Sequence, residues 1–139
     1  MKSIMVINSK GGSGKTTVSV NLAAYCALYG LQTTLVDLDP QESSTQWLSQ
    51  RPASKAKIKG TKNFNKPLKK SKNSVVIYDV PAAIYGARLD SYVKKADMII
   101  VPVLPSPIDM KAAQVFIQRL RSMGPVIRNR IKVGLVANR

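Results

Sequence analysis

A chain of 139 residues with 22 Lys and Arg against 7 Asp and Glu carries a formal net charge of +15. Its 45% hydrophobic content supports one core of ordinary size, and its basicity points to a polyanionic partner, nucleic acid before an acidic membrane surface. With no histidine and the single cysteine Cys26, it lacks the means for imidazole acid–base chemistry, an internal disulfide or a Cys/His metal site.

The first strand is predicted over Lys2 to Asn8 and buried on both faces, because Ile4-Met5-Val6-Ile7 does not alternate. No signal-peptide pattern precedes it, and no apolar run is long enough to span a bilayer, which implies the cytoplasm. Next comes Lys10-Gly11-Gly12-Ser13-Gly14-Lys15-Thr16-Thr17, opening a helix predicted from near Lys15 to about Tyr29. Three glycines let the backbone curl until successive N–H groups face a phosphate, and the helix adds the positive end of its dipole. In the pattern G-x-x-x-x-G-K-[ST], Lys15 reaches the β- and γ-phosphates and the Thr16 hydroxyl ligates Mg2+. Ser9 stands where that pattern begins with glycine, and a second lysine, Lys10, heads the loop. Along the helix, Val18, Leu22, Tyr25/Cys26 and Tyr29 form the expected core stripe, and Gly30 ends it.

A second strand, Thr33 to Leu38, leads into Asp37-Leu38-Asp39-Pro40-Gln41, where Pro40 keeps Asp39 out of helical geometry at a strand exit. A short helix over Ser44 to Leu48 places Trp47 beneath it. Residues 51–72 then carry Arg51, Lys55, Lys57, Lys59, Lys62, Lys66, Lys69, Lys70 and Lys72 with no acid among them. With two prolines and little periodicity, this basic stretch reads as an exposed loop or weak hairpin, either solvated or touching nucleic acid. Val75 to Asp79 is a third buried strand ending on an acid. After a loop over Pro81 to Gly86, a short helix covers Ala87 to Lys95, and Asp97 to Val103 is a fourth strand. Ser106 as N-cap, Pro107 at the first position and Asp109 as the capping-box acid start a helix facing Ile108, Ala112, Val115/Phe116 and Leu120 to the core. Gly124-Pro125 stops it, and Lys132 to Asn138 is a fifth strand.

Strands alternating with helices at this spacing predict an α/β fold, a parallel sheet covered on both faces, in one domain. Ligands of such sheets bind at the carboxyl ends of the strands, the edge that holds Lys10 to Thr17, Asp39 and Asp79. Asp79 is the carboxylate expected to orient Mg2+, and Asp39 is the best placed residue to polarise a water near the γ-phosphate, leaving Asp37 structural. ATP is preferred over GTP, since neither an N/T-K-x-D base motif nor a D-x-x-G switch is present.

The loop from Lys10 to Thr17, Asp37-Leu-Asp-Pro-Gln with Trp47 after it, Val75 to Pro81, and Ala96 to Asp109 together resemble the ParA/MinD family of deviant-Walker ATPases, in particular its partition-type ParA branch. The resemblance spans nearly the whole chain outside 51–72 and implies a three-layer P-loop fold with ATP and Mg2+ as ligands. It implies that Lys10 is the signature lysine reaching the partner's phosphates in a nucleotide-sandwich dimer, with Lys15, Thr16, Asp39 and Asp79 as the phosphate, metal and switch residues. By the same resemblance Asp39 joins Thr16 and Asp79 on the metal side, and Asn138 contacts the adenine. Partition-type members bind DNA without sequence specificity as ATP-bound dimers, and a ParB-like or cargo-loaded adaptor protein stimulates slow hydrolysis, which implies a nucleoid-associated protein with no membrane partner. Glu42 and Ala82 stand where the family often has glycine. Family members continue past the Asn138 strand, so the chain is expected to be incomplete at its C-terminus. The alternatives are a MinD-like ATPase cycling on membranes, a related synthetase or reductase subunit, and an inactive dimerisation remnant.

Overall fold

The computed structural model describes residues 2–68 and 71–138, so Lys69 and Lys70 of the basic stretch lie outside the described residues. The expected α/β architecture is present: six strands, every neighbouring pair parallel, form one sheet between helices. In chain order the elements are β1 (Lys2–Val6), α1 (Lys15–Leu28), β2 (Gln32–Asp37), α2 (Ser43–Ser49), β3 (Ile58–Thr61) and β4 (Ser74–Asp79). They continue as α3 (Gly86–Val93), β5 (Met98–Val103), α4 (Pro107–Arg121), α5 (Gly124–Ile127) and β6 (Lys132–Ala137). The strand order β3-β2-β4-β1-β5-β6 puts β1 and β4 side by side in the middle. All six residues of β4 are buried, as a continuous apolar run between two helical layers requires.

Two apolar clusters fill the spaces on either side of the sheet. Val6, Leu35, Val75 and Ile77 face α1 and meet Val20, Ala23 and Cys26, with Trp47 and Leu48 of α2 at the margin. On the reverse face Met5, Val36, Val76 and Ile99 meet Leu89, Tyr92, Val93, Phe116 and Leu120 from α3 and α4. Each fully buried aliphatic side chain of this kind contributes about 1.5–3 kcal/mol.

Several expectations change. The buried face of α1 is Ser19, Val20, Ala23, Cys26 and Ala27, while Tyr25 and Tyr29 are exposed and stack on one another with ring centroids 4.5 Å apart. Small residues let the helix lie close to the sheet; Val18 and Leu22 pack at the edge of that cluster instead of its centre. On α4 the buried residues are Ala113, Phe116 and Leu120, and Ile108 and Val115 point outward. A different side of α4, carrying Met110 and Ile117, borders an open cavity of about 1090 Å3 that Leu135 and Val136 of β6 also line. Finally, the basic stretch 51–72 is not all loop. Ile58–Thr61 pairs with β2 as a parallel edge strand, Ile58 filling the α1-side cluster, an anchor too short to stand out as a period in sequence. Gly124-Pro125 opens the short α5 turn, Arg121 being the last residue of α4.

Candidate nucleotide-binding site

The loop between β1 and α1 is held from below by Asn8. Its side-chain amide donates to Pro102 O at 2.8 Å, and its Oδ1 accepts from Lys10 N at 3.2 Å, tying the loop stem to β5. The backbone N–H of Ala83 donates to Ser9 O at 3.0 Å, linking the same stem to the segment after β4. Ser9 is not among the residues at positive φ, so the glycine that the motif has there is not required by the backbone. Gly12 and Gly14 do take left-handed values, φ 74 and 86, and Gly14 is the N-cap of α1. A Cβ on Gly14 would lie 1.9 Å from Asn138 Nδ2, so any other residue here would displace the Asn138 side chain from the loop in addition to straining φ. Val18 N donates to Gly14 O at 2.9 Å, which starts the helical ladder there and leaves the N–H groups of Lys15, Thr16 and Thr17 upstream of it, free for an anion. Gly11, Gly12 and Thr17 are exposed, whereas Ser13 is buried.

Lys15 is 7% exposed, and its Nζ donates to Lys10 O at 3.0 Å across the loop. Burial lowers its pKa from the ordinary 10.5, and the nearby Asp79 and Asp39 carboxylates oppose that shift. Asp79, at the end of β4, is 1% exposed. It accepts hydrogen bonds from Ser44 Oγ and from Ser19 Oγ at 3.2 Å, with the Thr16 hydroxyl close enough to favour its ionised form. Burial raises its pKa above the ordinary 3.8 despite those donors, with Asp37 adding to the rise. A buried lysine beside a buried carboxylate, each displaced towards its neutral form by burial, is a pair that phosphate oxygens on one side and a divalent cation on the other would complement. The donor set therefore fits a phosphate chain with Mg2+: loop N–H groups and Lys15 for the phosphates, Thr16 and Asp79 for the metal side.

Asp37 accepts from Thr45 N and Thr45 Oγ1, both at 2.8 Å, and from Asp39 N at 3.1 Å. It anchors the first turn of α2 and so is structural, as read from the sequence. Asp39 is half-buried on the Lys15 side, with Oδ1 accepting from Gln41 N at 2.9 Å. Asn138 lies against the loop, its Nδ2 donating to Ser13 O at 3.1 Å. Lys10 is the residue that turns away from the loop: its side chain is 39% exposed, and Nζ pairs with Asp109 Oδ1 at 2.7 Å. That pair, and the Ser106 hydroxyl on the same carboxylate, hold the Asp109 pKa below 3.8.

Sequence reasoning brought Lys10, Lys15, Thr16, Asp39 and Asp79 to one strand edge, and the structure has them there, with Asn138, singled out only by the family resemblance, against the same loop. It missed Ser19 and Ser44 as donors to Asp79. Ser19 had a readable signal, one helical turn after Lys15, but nothing marked Ser44. It also read Asp109 only as a helix cap; the cap exists, with Asp109 N donating to Ser106 Oγ at 3.2 Å, and the second role as partner of Lys10 is a long-range contact. Of the two non-glycine departures, Glu42 is left-handed at φ 56, while after β4 the left-handed residue is Ala83 (φ 55) and not Ala82.

A family described as an AAA domain matches residues 1–133. The maintenance of carboxysome distribution protein A of Gloeobacter kilaueensis is 37% identical over 112 residues, covering 77% of this chain and 51% of the relative. The chromosome-partitioning ATPase Soj of Thermus thermophilus is 51% identical over 51 residues, covering 37% of this chain and 20% of Soj. Among solved structures, the ATP complex of a Cyanothece McdA variant superposes with TM-score 0.75 at 16% identity, covering 99% of this chain and 70% of that one. The pNOB8 ParA bound to nonspecific DNA gives TM-score 0.71, also at 16% identity, over 88% of this chain and 60% of that one. The chain spans about half the length of the carboxysome-distribution relative from Gloeobacter. By its motif order, fold and relatives, the chain belongs to the AAA-domain family, among the ParA/MinD-type P-loop ATPases.

Proposed function

We propose that the chain binds and hydrolyses ATP as a switch that dimerises on nucleotide, binds DNA without sequence preference and positions a cargo, either a plasmid, a chromosome or another cellular body. The observation that carries this reading is the division of labour between two lysines in one loop. Lys15 is buried in the phosphate cradle, while Lys10 lies at its mouth on an ion pair that can exchange for another anion. A lysine in that position suits the phosphates of a facing subunit better than those of its own.

In this reading Gly11, Gly12, Ser13, Gly14 and Thr17 supply backbone to the phosphates, Lys15 their counter-charge, and Asn138 the adenine side. Thr16 and Asp79 would hold Mg2+, with Asp39 contributing, and the bound metal neutralises charge on the β- and γ-phosphates. Asp39 orients the water that attacks the γ-phosphoryl group. A ParB-like or cargo adaptor would stimulate hydrolysis and so release the dimer. The relatives named for carboxysome distribution and chromosome partitioning, and the ParA relative bound to nonspecific DNA, support the cargo and DNA parts.

Lys10→Ala and Lys15→Ala separate the two roles. Lys15→Ala is expected to weaken ATP binding at least tenfold by calorimetry. Lys10→Ala keeps that binding but loses the ATP-dependent dimer in sedimentation velocity. An ATP-dependent dimer undiminished by Lys10→Ala would refute the sandwich.

A further inference from the structure

Helices cover one face of β2 and β3: Leu35 and Ile58 pack with Val20, Trp47 and Leu48 of α1 and α2. On the reverse face residues 62–68 pass over the sheet, with Phe64 and Leu68 packed against the cluster that holds Val36, Val76 and Tyr78. Between this segment and the strands lies a cavity of about 500 Å3, lined among others by Lys57, Lys59, Lys66, Thr34, Thr61 and Ser74. Thr34 and Lys59 are Cα partners, and both alternate with residues that face α1, so they share the face away from it. The first residues of β2 and β4, Gln32 and Ser74, also line the cavity, which places it towards the end of the sheet away from the phosphate loop.

Three ammonium groups, several hydroxyls and no carboxylate line this depression. The ion pairs among the described residues are Lys10–Asp109 and Lys62–Glu42, so neither engages the three lysines of the cavity. Such a donor set is complementary to phosphate oxygens. Lys57, Lys59 and Lys66 are all exposed, and Lys55 and Lys72 extend the exposed charge beyond the cavity. A site for a small free phosphate would enclose its charges; spread and solvated ammonium groups suit a polymer with phosphates at intervals.

We propose that the exposed rim of this cavity, along β3 and residues 62–68, is a docking surface for the phosphodiester backbone of DNA, held by Lys57, Lys59 and Lys66. It rests on the DNA-binding reading above and assigns that binding to a surface. The contacts are to phosphates alone, so binding is independent of sequence and falls steeply with salt.

The test is fluorescence anisotropy of a labelled duplex of unrelated sequence, with Mg2+ and ATP, across a salt series. Each lost phosphate contact lowers the slope of log affinity against log salt by about 0.9. The triple variant Lys57→Ala/Lys59→Ala/Lys66→Ala is expected to lose about 2–3 from that slope, with at least a tenfold loss of affinity at low salt. The Lys→Arg triple at the same positions keeps the wild-type slope, as does a control triple, Arg119→Ala/Arg128→Ala/Arg130→Ala, near the opposite edge of the sheet. An unchanged slope in the Lys→Ala triple, or an equal loss in the control, overturns this surface while leaving the DNA reading intact. A wild-type chain that binds no duplex overturns both. If the Lys→Ala triple loses binding to phosphatidylglycerol vesicles but not to duplex, the surface belongs to lipid headgroups and the proposal is overturned.

Discussion

Asp79 is where the chain carries its sharpest local conflict, a carboxyl 1% exposed whose pKa burial raises above 3.8 against the pull of Ser44, Thr16 and Ser19. A group with a higher pKa folded than unfolded takes up a proton on folding. Its contribution to stability is therefore complete below 3.8 and is lost as pH rises through the folded value. A divalent cation requires the ionised form, and its binding releases that proton. The rise in melting temperature produced by Mg2+ and ATP should thus grow as pH climbs through the Asp79 titration. Asp79→Asn should flatten this dependence, leaving only the part that belongs to the nucleotide. Equal pH slopes for the two proteins in a thermal-shift series would contradict this account. The Lys10–Asp109 pair behaves oppositely: hydrogen bonding to Lys10 and Ser106 lowers the Asp109 pKa, so the pair persists above 3.8 and opens only in acid as pH falls through the lowered value.

At the scale of an element, the entry to α2 governs whether Ser44 reaches Asp79. The turn after β2 brings Glu42 to φ 56 as the N-cap, with Glu42 N donating to Asp39 O at 3.0 Å and Gln46 N to Glu42 O at 2.9 Å. The Glu42 side chain pairs with Lys62 Nζ at 2.6 Å, but the two are 46% and 54% exposed, so the pair is worth at most about 1 kcal/mol. Replacing Glu42 by glycine removes a left-handed strain of about 1–2 kcal/mol, loses that pair and adds about 0.4–1 kcal/mol of unfolded-chain entropy. These terms nearly cancel, so Glu42→Gly should lie within about 1 kcal/mol of the wild type in urea unfolding. Glu42→Val, β-branched at positive φ, should lose about 2 kcal/mol. If valine is tolerated as well as glycine, the turn is not held in the left-handed region.

The whole molecule is governed by a charge of +15 with two ion pairs among the described residues. Self-repulsion at that density opposes the compact state and is screened by salt over a Debye length of about 10 Å at 0.1 M. The melting temperature is expected to rise between about 10 and 200 mM sodium chloride, where a protein held by surface ion pairs would lose stability. A falling melting temperature in differential scanning calorimetry would show that local pairs outweigh the global field. No helix among the described residues is long and apolar enough to cross a membrane.

The sequence by itself determined the phosphate loop, the acids at the ends of β2 and β4 and the alternation of strand with helix. Each is encoded locally: glycines where φ must be positive, unbroken apolar runs where both faces are buried, Ser-Pro-x-Asp where a helix begins. Only the tertiary structure decided which face of α1 meets the sheet, because the winning residues there are small and the large aromatics stack in solvent. It alone made an edge strand of Ile58–Thr61, whose pairing is supplied by β2 and not by its own composition. And it alone joined Ser19 and Ser44 to Asp79, and Lys10 to Asp109, since contacts between residues tens of positions apart leave no period in the chain.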